Sequence, residues 1–442
     1  MTSQAAGRGT PRRVAVIGAG YVGLPTAATL ASFGHRVVLA ERDPVRLSTL
    51  RAGRVPIVEA GLEELVSRGV AAGALSFTES AVTAVDGAEF VFLCVPTPQS
   101  ADGSADLSYV EGTAKEIASH LQQGAIVVNK STVPVGSATM VEQVVGRPDI
   151  SVVSNPEFLR EGTAVHDSLN PDRIVVGADN PQAAARVGEL FASTSAPLIV
   201  TDATTSETIK YASNAFLATK LSFVNALAGL CEEVGADARD VLLGLGYDKR
   251  IGFEFLRPGP GWGGSCLPKD TRALLHIASE AGYDFSLLAG AIASNDEQLA
   301  RVVSKVELAC GGSVVGCTVA AWGLTFKANT DDRRYSPSLQ VVHRLVEQGA
   351  TVQAYDPTVG AADDDTDPPE DLRGLVLRGD PYEAAAGARA LVVLTEWEEF
   401  RWLDFSRLLA VMAEPSVVDA RNLLDPAALR RMGFRYTGIG RR

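Results

Sequence analysis

The chain has 442 residues, of which 46% are hydrophobic and 21% charged, and its formal net charge is −13. This length exceeds what one hydrophobic core usually supports, so we expect two or three domains. The acidic balance argues against a surface that follows nucleic-acid phosphates. No apolar run reaches the roughly 20 residues that a membrane-spanning helix needs. These features predict a soluble globular protein with neither nucleic acid nor a membrane as partner.

The first eleven residues contain little apolar sequence and lead directly into a strand-like run. They predict a disordered start and not a signal peptide, so we expect a cytoplasmic protein. The cysteines show no CxxC spacing, and the histidines show no metal-ligand spacing, so neither a disulfide framework nor a metal site is expected. The five cysteines are scattered along the chain at Cys94, Cys231, Cys266, Cys310 and Cys317.

The first motif is a strand beginning at Val14, followed by a glycine loop and a small-residue helix. The loop reads Gly18-x-Gly20-x-x-Gly23, and a second strand ends in Glu41, about 20 residues beyond the glycines. In such a unit the three glycines allow a tight turn, close approach of a pyrophosphate, and packing of the helix on the strand. The spacing predicts a dinucleotide site, the alternative being a strand–helix turn loosened by glycines.

Two neighbouring residues bear on which nicotinamide cofactor is used. Glu41 stands where a carboxylate accepts hydrogen bonds from ribose hydroxyls and repels a 2′-phosphate. Arg42 is the one feature that favours NADP, unless it is simply solvated. The carboxylate favours NAD, which we expect as the cofactor.

Three later strand-like segments, Glu89 to Pro98, Ala125 to Gly136 and Ser151 to Phe158, end in polar, glycine or proline residues. In open parallel sheets, ligands lie at these strand ends. One polar side chain from each segment could therefore share a ligand crevice, although ordinary turn chemistry explains such residues equally well. These side chains are Thr97, Thr132 and Glu157.

A long apolar helix is predicted over residues 206–234, because the segment contains no proline and a single glycine. Lys210 and Asn214 lie one helical turn apart within it. On so apolar a helix, a functional or paired lysine is as plausible as a solvated one. Further strand-like runs from Val315 onward, separated by a helix, predict a second parallel α/β unit.

Cys266 lies in the stretch PGPGWGGSCLPKD, directly before a predicted helix in which Pro268 occupies the first turn. Free N–H groups and the helix dipole favour a thiolate at this place. Asp270 is either an ordinary first-turn acid or a group that orients water. A thiolate near a nicotinamide site can form a thiohemiacetal with an aldehyde and, after hydride loss, a thioester that water hydrolyses.

Seven motifs follow one another along the chain: GAGYVGLPTA, VPTP, KSTVPVG, NPEFLREG, KYASNAFLATK, RPGPGWGGSCLPKD and GLTFKANTDDRRYSP. Their order is the one seen in the UDP-glucose/GDP-mannose dehydrogenase family, which the chain resembles from residue 12 onward. The resemblance implies an α/β fold of two Rossmann-like doubly wound parallel sheets joined by a long central helix. It also implies NAD-dependent four-electron oxidation of a sugar C6 alcohol to a carboxylate, in a homodimer or higher homo-oligomer.

The implied domain division has four parts. Residues 1–11 form a disordered start, and residues 12–203 form the NAD-binding domain. Residues 204–310 form a central helical dimerisation region with the cysteine loop. Residues 311–442 form a domain that holds the nucleotide part of the sugar nucleotide.

The resemblance also implies roles for individual residues. Cys266 is the catalytic thiol, Asp270 and Thr132 position a water, Glu157 serves in acid–base steps, and Lys210 with Asn214 stabilises an oxyanion. Arg250 is expected to reach the substrate of a neighbouring subunit. The cofactor set is Gly18, Gly20, Tyr21, Val22, Gly23, Glu41, Arg46, Pro96, Thr97, Thr132, Glu161 and Arg334. The substrate set is Glu157, Phe158, Leu159, Lys210, Asn214, Arg250, Phe255, Leu256, Gly263, Cys266, Phe326 and Lys327.

The motif GGSCLPKD resembles the glucose and mannose branches of the family more than the N-acetyl branch. UDP-glucose is the expected substrate, with dTDP-glucose and, as the weaker alternative, GDP-mannose. Trp262 stands where phenylalanine is usual, which implies a larger apolar wall in the sugar or base pocket. Two rival classes are a two-electron hydroxyacid or sugar-phosphate dehydrogenase and an NAD-binding regulator without chemistry. A regulator has no need of Cys266, Lys210, Asn214 and Asp270 together.

Overall fold

The computed structural model describes residues 10–100, 102–360 and 368–441. Most of the predicted disordered start, residues 1–9, lies outside the described residues. The chain divides into two compact units. The first comprises Met1–Ser213 with Arg272–Ala281, and the second comprises Asn214–Thr271 with Gly282–Arg442.

Eight strands and eight helices make up most of the first unit. The strands are β1 (Arg13–Ile17), β2 (Arg36–Ala40), β3 (Leu75–Thr78), β4 (Phe90–Leu93), β5 (Ile126–Asn129), β6 (Ser151–Ser154), β7 (Ile174–Gly177) and β8 (Leu198–Thr201). The helices are α1 (Gly23–Ser32), α2 (Pro44–Arg51), α3 (Leu62–Ala71), α4 (Ala81–Val85), α5 (Ser108–Ile117), α6 (Ser137–Val145), α7 (Ala164–Leu169) and α8 (Pro181–Glu189).

The strands form one sheet in the order β3-β2-β1-β4-β5-β6-β7-β8, parallel except between β6 and β7. Alternate residues of β1 and β4 enter two different apolar cores, so both faces of the sheet are covered. The strand order reverses at β1, and the glycine loop follows that strand. Ligands of doubly wound sheets bind at such a reversal.

The long helix α9 (Ala203–Val234) follows β8. By length and composition it could also cross a membrane, as the core helices of many soluble proteins could. Three helices come next, α10 (Ala238–Gly246), α11 (Leu267–Glu280) and α12 (Ser286–Ala309). The predicted start of a helix directly after Cys266 agrees with the observed start of α11.

The second sheet lies in the second unit and repeats the plan of the first. Its six parallel strands have the order β11-β10-β9-β12-β13-β14, where the strands are β9 (Thr318–Trp322), β10 (Thr351–Tyr355), β11 (Val376–Leu377), β12 (Ala390–Val393), β13 (Ser416–Asp419) and β14 (Arg435–Gly438). Its helices are α13 (Pro337–Glu347), α14 (Pro381–Ala385), α15 (Phe405–Val411) and α16 (Pro426–Arg431). The predicted fold class, two doubly wound parallel α/β sheets and a long central helix, is confirmed.

Two strands of the first sheet end earlier than the apolar pattern predicts. The run from Ala125 to Gly136 is strand only as far as Asn129, because the backbone N–H groups of Lys130 and Ser131 both bond to the Leu93 carbonyl. The run from Ser151 to Phe158 ends at Ser154. The residues beyond each strand form the loops that carry Thr132 and Glu157.

Candidate active site

The glycine loop of the first unit has the shape that a dinucleotide requires. A Cβ on Gly18 would lie 2.5 Å from the Cys94 carbonyl oxygen, and one on Gly23 would lie 1.9 Å from the Gly18 oxygen. A Cβ on Gly20 would meet no protein atom within 4 Å, so open space lies beside that backbone. Helix α1 begins after Val22 without a side-chain cap and has no acid in its first turn. Loop and helix end therefore fit a pyrophosphate.

Glu41 directly follows β2 and is buried, and its carboxylate is hydrogen-bonded to nearby backbone N–H groups. It accepts hydrogen bonds from the Ala19 and Asp43 N–H groups at 3.0 and 2.9 Å. Each oxygen keeps acceptor capacity for a ribose hydroxyl. Arg42, the one residue that favoured NADP, forms an ion pair with Glu116. Its charge therefore already has an acidic partner. Arg46 is exposed on the first turn of α2.

The loops after β4 and β5 are tied together. The Thr97 hydroxyl donates to the Thr132 carbonyl at 2.9 Å, so two of the three predicted crevice residues are in contact. Pro96 is exposed beside Thr97. Below this loop, the buried Glu207 of α9 accepts from the Gly136 and Ala138 N–H groups at 2.7 and 2.9 Å. Burial raises the Glu207 pKa to about 7 although both hydrogen bonds oppose that shift.

Glu157 and Lys210 form a buried ion pair in the first unit. Lys210 Nζ lies 2.7 Å from Glu157 Oε1 and also donates to the Glu157 carbonyl at 2.8 Å. Burial alone would raise the Glu157 pKa, but the Lys210 charge and hydrogen bond bring it below its ordinary value. Glu157 is therefore a carboxylate at neutral pH.

Sequence reasoning missed a second buried lysine near this pair. Lys130 donates to Asn155 Oδ1 at 3.1 Å and contributes to the low pKa of Glu157. Burial lowers the pKa of Lys130 itself to about 8. Lys130 directly follows β5 in the motif KSTVPVG, and this position at a strand end is the sequence feature that could have identified it as a site residue.

The loop after Glu157 contains the other predicted residues of this unit. Phe158 is half-buried, with the Arg173 guanidinium 3.8 Å from its ring centre, and Leu159 donates its N–H to the Glu157 carboxylate. Both residues line a cavity of about 120 Å³ within this unit. Glu161 is partly buried in the same loop, as is Tyr21 in the glycine loop.

Cys266 lies in the second unit, in the residue position before α11. Its carbonyl accepts the first turn's Asp270 N–H at 2.9 Å, and its Sγ lies 3.5 Å from the Ser265 hydroxyl. The thiol is therefore placed at a helix N-terminus, where negative charge is stabilised. Among the described residues, no group of three or more histidine, cysteine or acidic side chains is placed to hold a metal ion.

Asn214, Asp270 and Lys269 form a mostly buried polar cluster in the same unit, in which Lys269 and Asp270 closely follow Cys266 in the sequence. Asp270 is fully buried and accepts from Asn214 Nδ2 and Lys269 Nζ, both at 2.6 Å. Asp270 Oδ2 accepts from the Asn214 amide and Oδ1 accepts from the Lys269 ammonium. Asp270 therefore holds both side chains in position. Lys269 was not singled out from the sequence, although it adjoins Asp270.

Neighbouring atoms leave no room for a side chain at two glycines of the loop before Cys266. A Cβ on Gly263 would lie 2.1 Å from the Tyr335 carbonyl oxygen, and one on Gly264 would lie 2.9 Å from the Phe326 ring. Phe326 of the predicted substrate set therefore packs against Gly264, the residue that follows Gly263.

Trp262 is buried, and its main role in the structure is to anchor this loop. Its N–H and carbonyl both bond to the Asn295 side chain, and its indole Nε1 donates to the Ser222 hydroxyl at 2.8 Å. The residue that departs from the family pattern therefore joins the loop to α9 and α12. Asn225 and Gln298 hold Gly259 in the same way.

Apart from Leu256, the remaining predicted residues of the second unit are partly buried or exposed. Two exposed arginines already have acidic partners two residues away, Arg250 with Asp248 and Arg334 with Asp332. Phe255 has a left-handed backbone, with φ of 60°, next to the buried Leu256. Lys327 is partly buried, with its Nζ 5.4 Å from the Phe326 ring centre.

Three family models match successive parts of the chain. Residues 12–195 match the NAD binding domain of the UDP-glucose/GDP-mannose dehydrogenase family, residues 204–297 its central domain, and residues 320–426 its UDP binding domain. The chain belongs to this family. The family predicted from the seven motifs is thus confirmed, and so are NAD as cofactor and an oxidoreductase activity of the nucleotide-sugar dehydrogenase type.

Individual relatives are similar over almost the whole chain. The UDP-glucose 6-dehydrogenase of Rhizobium meliloti is 47% identical over 439 residues, which cover 97% of this chain and 99% of the relative. That of Pseudomonas aeruginosa is 44% identical, with 97% of each chain covered. A solved UDP-glucose dehydrogenase from Pyrobaculum islandicum is 34% identical, with a TM-score of 0.89 and complete coverage of both chains.

Proposed function

We propose that this enzyme is a UDP-glucose 6-dehydrogenase that makes UDP-glucuronate, with Cys266 as the nucleophile. The observation that carries the proposal is the placement of Cys266 at the start of α11, followed by the buried cluster of Asp270, Lys269 and Asn214. A two-electron dehydrogenase needs no thiol at such a place. The similarity to enzymes named UDP-glucose 6-dehydrogenase over the full chain supports the same substrate.

The reaction begins at the C6 alcohol of the sugar. Glu157, which Lys210 keeps ionised, is the acceptor for the alcohol proton. NAD, when bound, would supply the hydride acceptor for each of the two oxidations. The glycine loop, Glu41 and the uncapped start of α1 bind and orient the dinucleotide.

The second half of the reaction takes place on the sulfur. The Cys266 thiolate adds to the C6 aldehyde, the C–S bond forms, and the carbonyl electron pair moves to oxygen. Lys210 and Asn214, one turn apart on α9, are the donors for this oxyanion. Loss of hydride gives a thioester. Water then adds to the thioester carbonyl, the C–S bond breaks, and the carboxylate and the thiol are released. The family resemblance assigns the positioning of this water to Asp270 and Thr132.

A substrate panel tests which sugar nucleotide is used. We expect kcat/KM for UDP-glucose to exceed that for dTDP-glucose and GDP-mannose by at least tenfold, about 1.4 kcal/mol in the transition state. NADH formation at 340 nm, with chromatography of the product, gives both rate and product identity. A higher kcat/KM with either competitor would assign the enzyme to that nucleotide instead.

We further propose that the enzyme is a cytoplasmic homodimer that pairs through α9. Three residues at seven-residue spacing, Phe216, Phe223 and Leu230, expose 68%, 59% and 55% of their surface in the single chain. Such a stripe on one helix face fits a partner helix. Phe223→Glu should convert the dimer to a monomer in light scattering, whereas exposed Glu233→Gln should not. A wild-type mass equal to one chain would contradict the proposal.

A further inference from the structure

A buried carboxylate of α9 holds the end of the loop that carries Thr132. Glu207 Oε2 accepts from the Gly136 N–H at 2.7 Å, and Oε1 accepts from the Ala138 N–H at 2.9 Å. Glu207 has 2% of its surface exposed. Gly136, the residue before α6, has a left-handed φ of 94° and offers no side-chain cap. Another helix therefore supplies the cap of α6, and the free N–H groups there stabilise its negative charge.

The loop between β5 and α6 is anchored at its start, in its middle and at its end. At its start, the Ser131 N–H bonds to the Leu93 carbonyl at 3.0 Å. In its middle, the Thr97 hydroxyl donates to the Thr132 carbonyl at 2.9 Å. At its end, Glu207 holds the first turn of α6. Because Thr132 lies between the first anchor and the last, the direction of its side chain depends on both ends of the loop.

The same part of α9 also holds the second loop that takes part in the proposed reaction. Lys210 lies three residues after Glu207, and its Nζ lies 2.7 Å from Glu157 Oε1. Both sets of contacts lie within the first unit. Side chains within one turn of a single helix therefore hold the loops of Thr132 and Glu157, which fixes the two loops relative to each other.

We propose that Glu207 is a positioning residue that promotes hydrolysis of the Cys266 thioester by holding Thr132. The inference rests on the proposed function, which assigns Thr132 to the water that adds to the thioester carbonyl. Neither oxidation uses this water, so both should proceed when the anchor is weakened. The acyl group should then stay on the Cys266 sulfur, because the step that breaks the C–S bond is slowed.

Rapid mixing of the Glu207→Gln variant with NAD and UDP-glucose tests the inference. Glutamine keeps the size of the side chain, but its NH2 group meets one of the two N–H donors, so one hydrogen bond is lost. At a pH above the Glu207 pKa of about 7, we expect a burst of two NADH per active site. A steady rate at least about tenfold below wild type should follow. Mass spectrometry of the acid-quenched variant should show the uronyl group on Cys266.

The matched control is Glu233→Gln, the same change at an exposed position of α9. It should keep the wild-type steady rate and show no adduct on Cys266. A wild-type steady rate in the Glu207 variant would overturn the inference. So would a slow Glu207 variant without burst and adduct, because Glu207 would then support the fold or an oxidation step.

A double variant tests whether Glu207 acts through Thr132. Thr132→Ala should itself slow hydrolysis and cause the same adduct to accumulate on Cys266. Adding Glu207→Gln to Thr132→Ala should slow hydrolysis by less than about twofold more, since the hydroxyl that Glu207 positions is already gone. Rate losses that multiply would contradict the coupling.

The wild-type yield separates failure of this inference from failure of the proposed function. One NADH for each UDP-glucose would remove the thioester, and both proposals with it. Two NADH from the wild type, together with an unchanged Glu207→Gln variant, would refute the role of Glu207 alone.

Discussion

Replacing Cys266 with serine should abolish formation of the acid while leaving NAD and UDP-glucose bound with nearly wild-type affinity. A serine hydroxyl is a much weaker nucleophile than a thiolate and forms no thioester, so the reaction stops before the second oxidation. We expect kcat for UDP-glucuronate to fall by a factor on the order of 10³ or more. Calorimetry measures the binding constants, and chromatography measures the acid.

The matched control for this variant is Cys231→Ser. Cys231 is a buried thiol of the same unit that lies on α9, outside the candidate active site. Its replacement should leave kcat within a small factor of the wild-type value. If Cys266→Ser forms acid at the wild-type rate, the thioester route is wrong.

Replacing Lys210 with alanine should reduce turnover far more than it weakens NAD binding. The change removes a proposed oxyanion donor, which typically costs a factor of about 10²–10³ in kcat. It also leaves Glu157 buried without its closest charge partner, and breaking such a pair costs about 3–5 kcal/mol of stability. Steady-state kinetics, calorimetry with NAD and thermal unfolding separate these effects.

Lys220→Ala is the control for that experiment. Lys220 lies on the same helix, is more exposed, and donates to the Ile251 carbonyl. It should keep kcat and the unfolding midpoint near the wild-type values. A Lys210 variant that loses NAD affinity and turnover in equal proportion would show that the lysine acts on cofactor binding instead.

The sequence was most informative where a function needs a fixed local spacing. The glycine loop with Glu41, and the cysteine followed by a helix with Pro268, are each defined within a few tens of residues. Their geometry follows from backbone rules, since only glycine fits at Gly18 and Gly23. The order of strand, glycine loop and helix, and the start of a helix directly after Cys266, were predicted correctly without knowledge of distant contacts.

Partners that are far apart in sequence could not be predicted from local pattern. The carboxylate of Glu207 caps α6 from 69 residues away, and Arg42 meets Glu116 across 74 residues. The same holds for Lys130 with Asn155 and for Trp262 with Asn295. Each pairing depends on which loops the sheets bring together, and that is a property of the tertiary fold.

The most direct test of the central claim is the number of NADH molecules formed for each UDP-glucose consumed. The four-electron route through Cys266 predicts two NADH and one UDP-glucuronate. One NADH, with an aldehyde or ketone as the product, would contradict the thioester mechanism and make this enzyme a two-electron dehydrogenase.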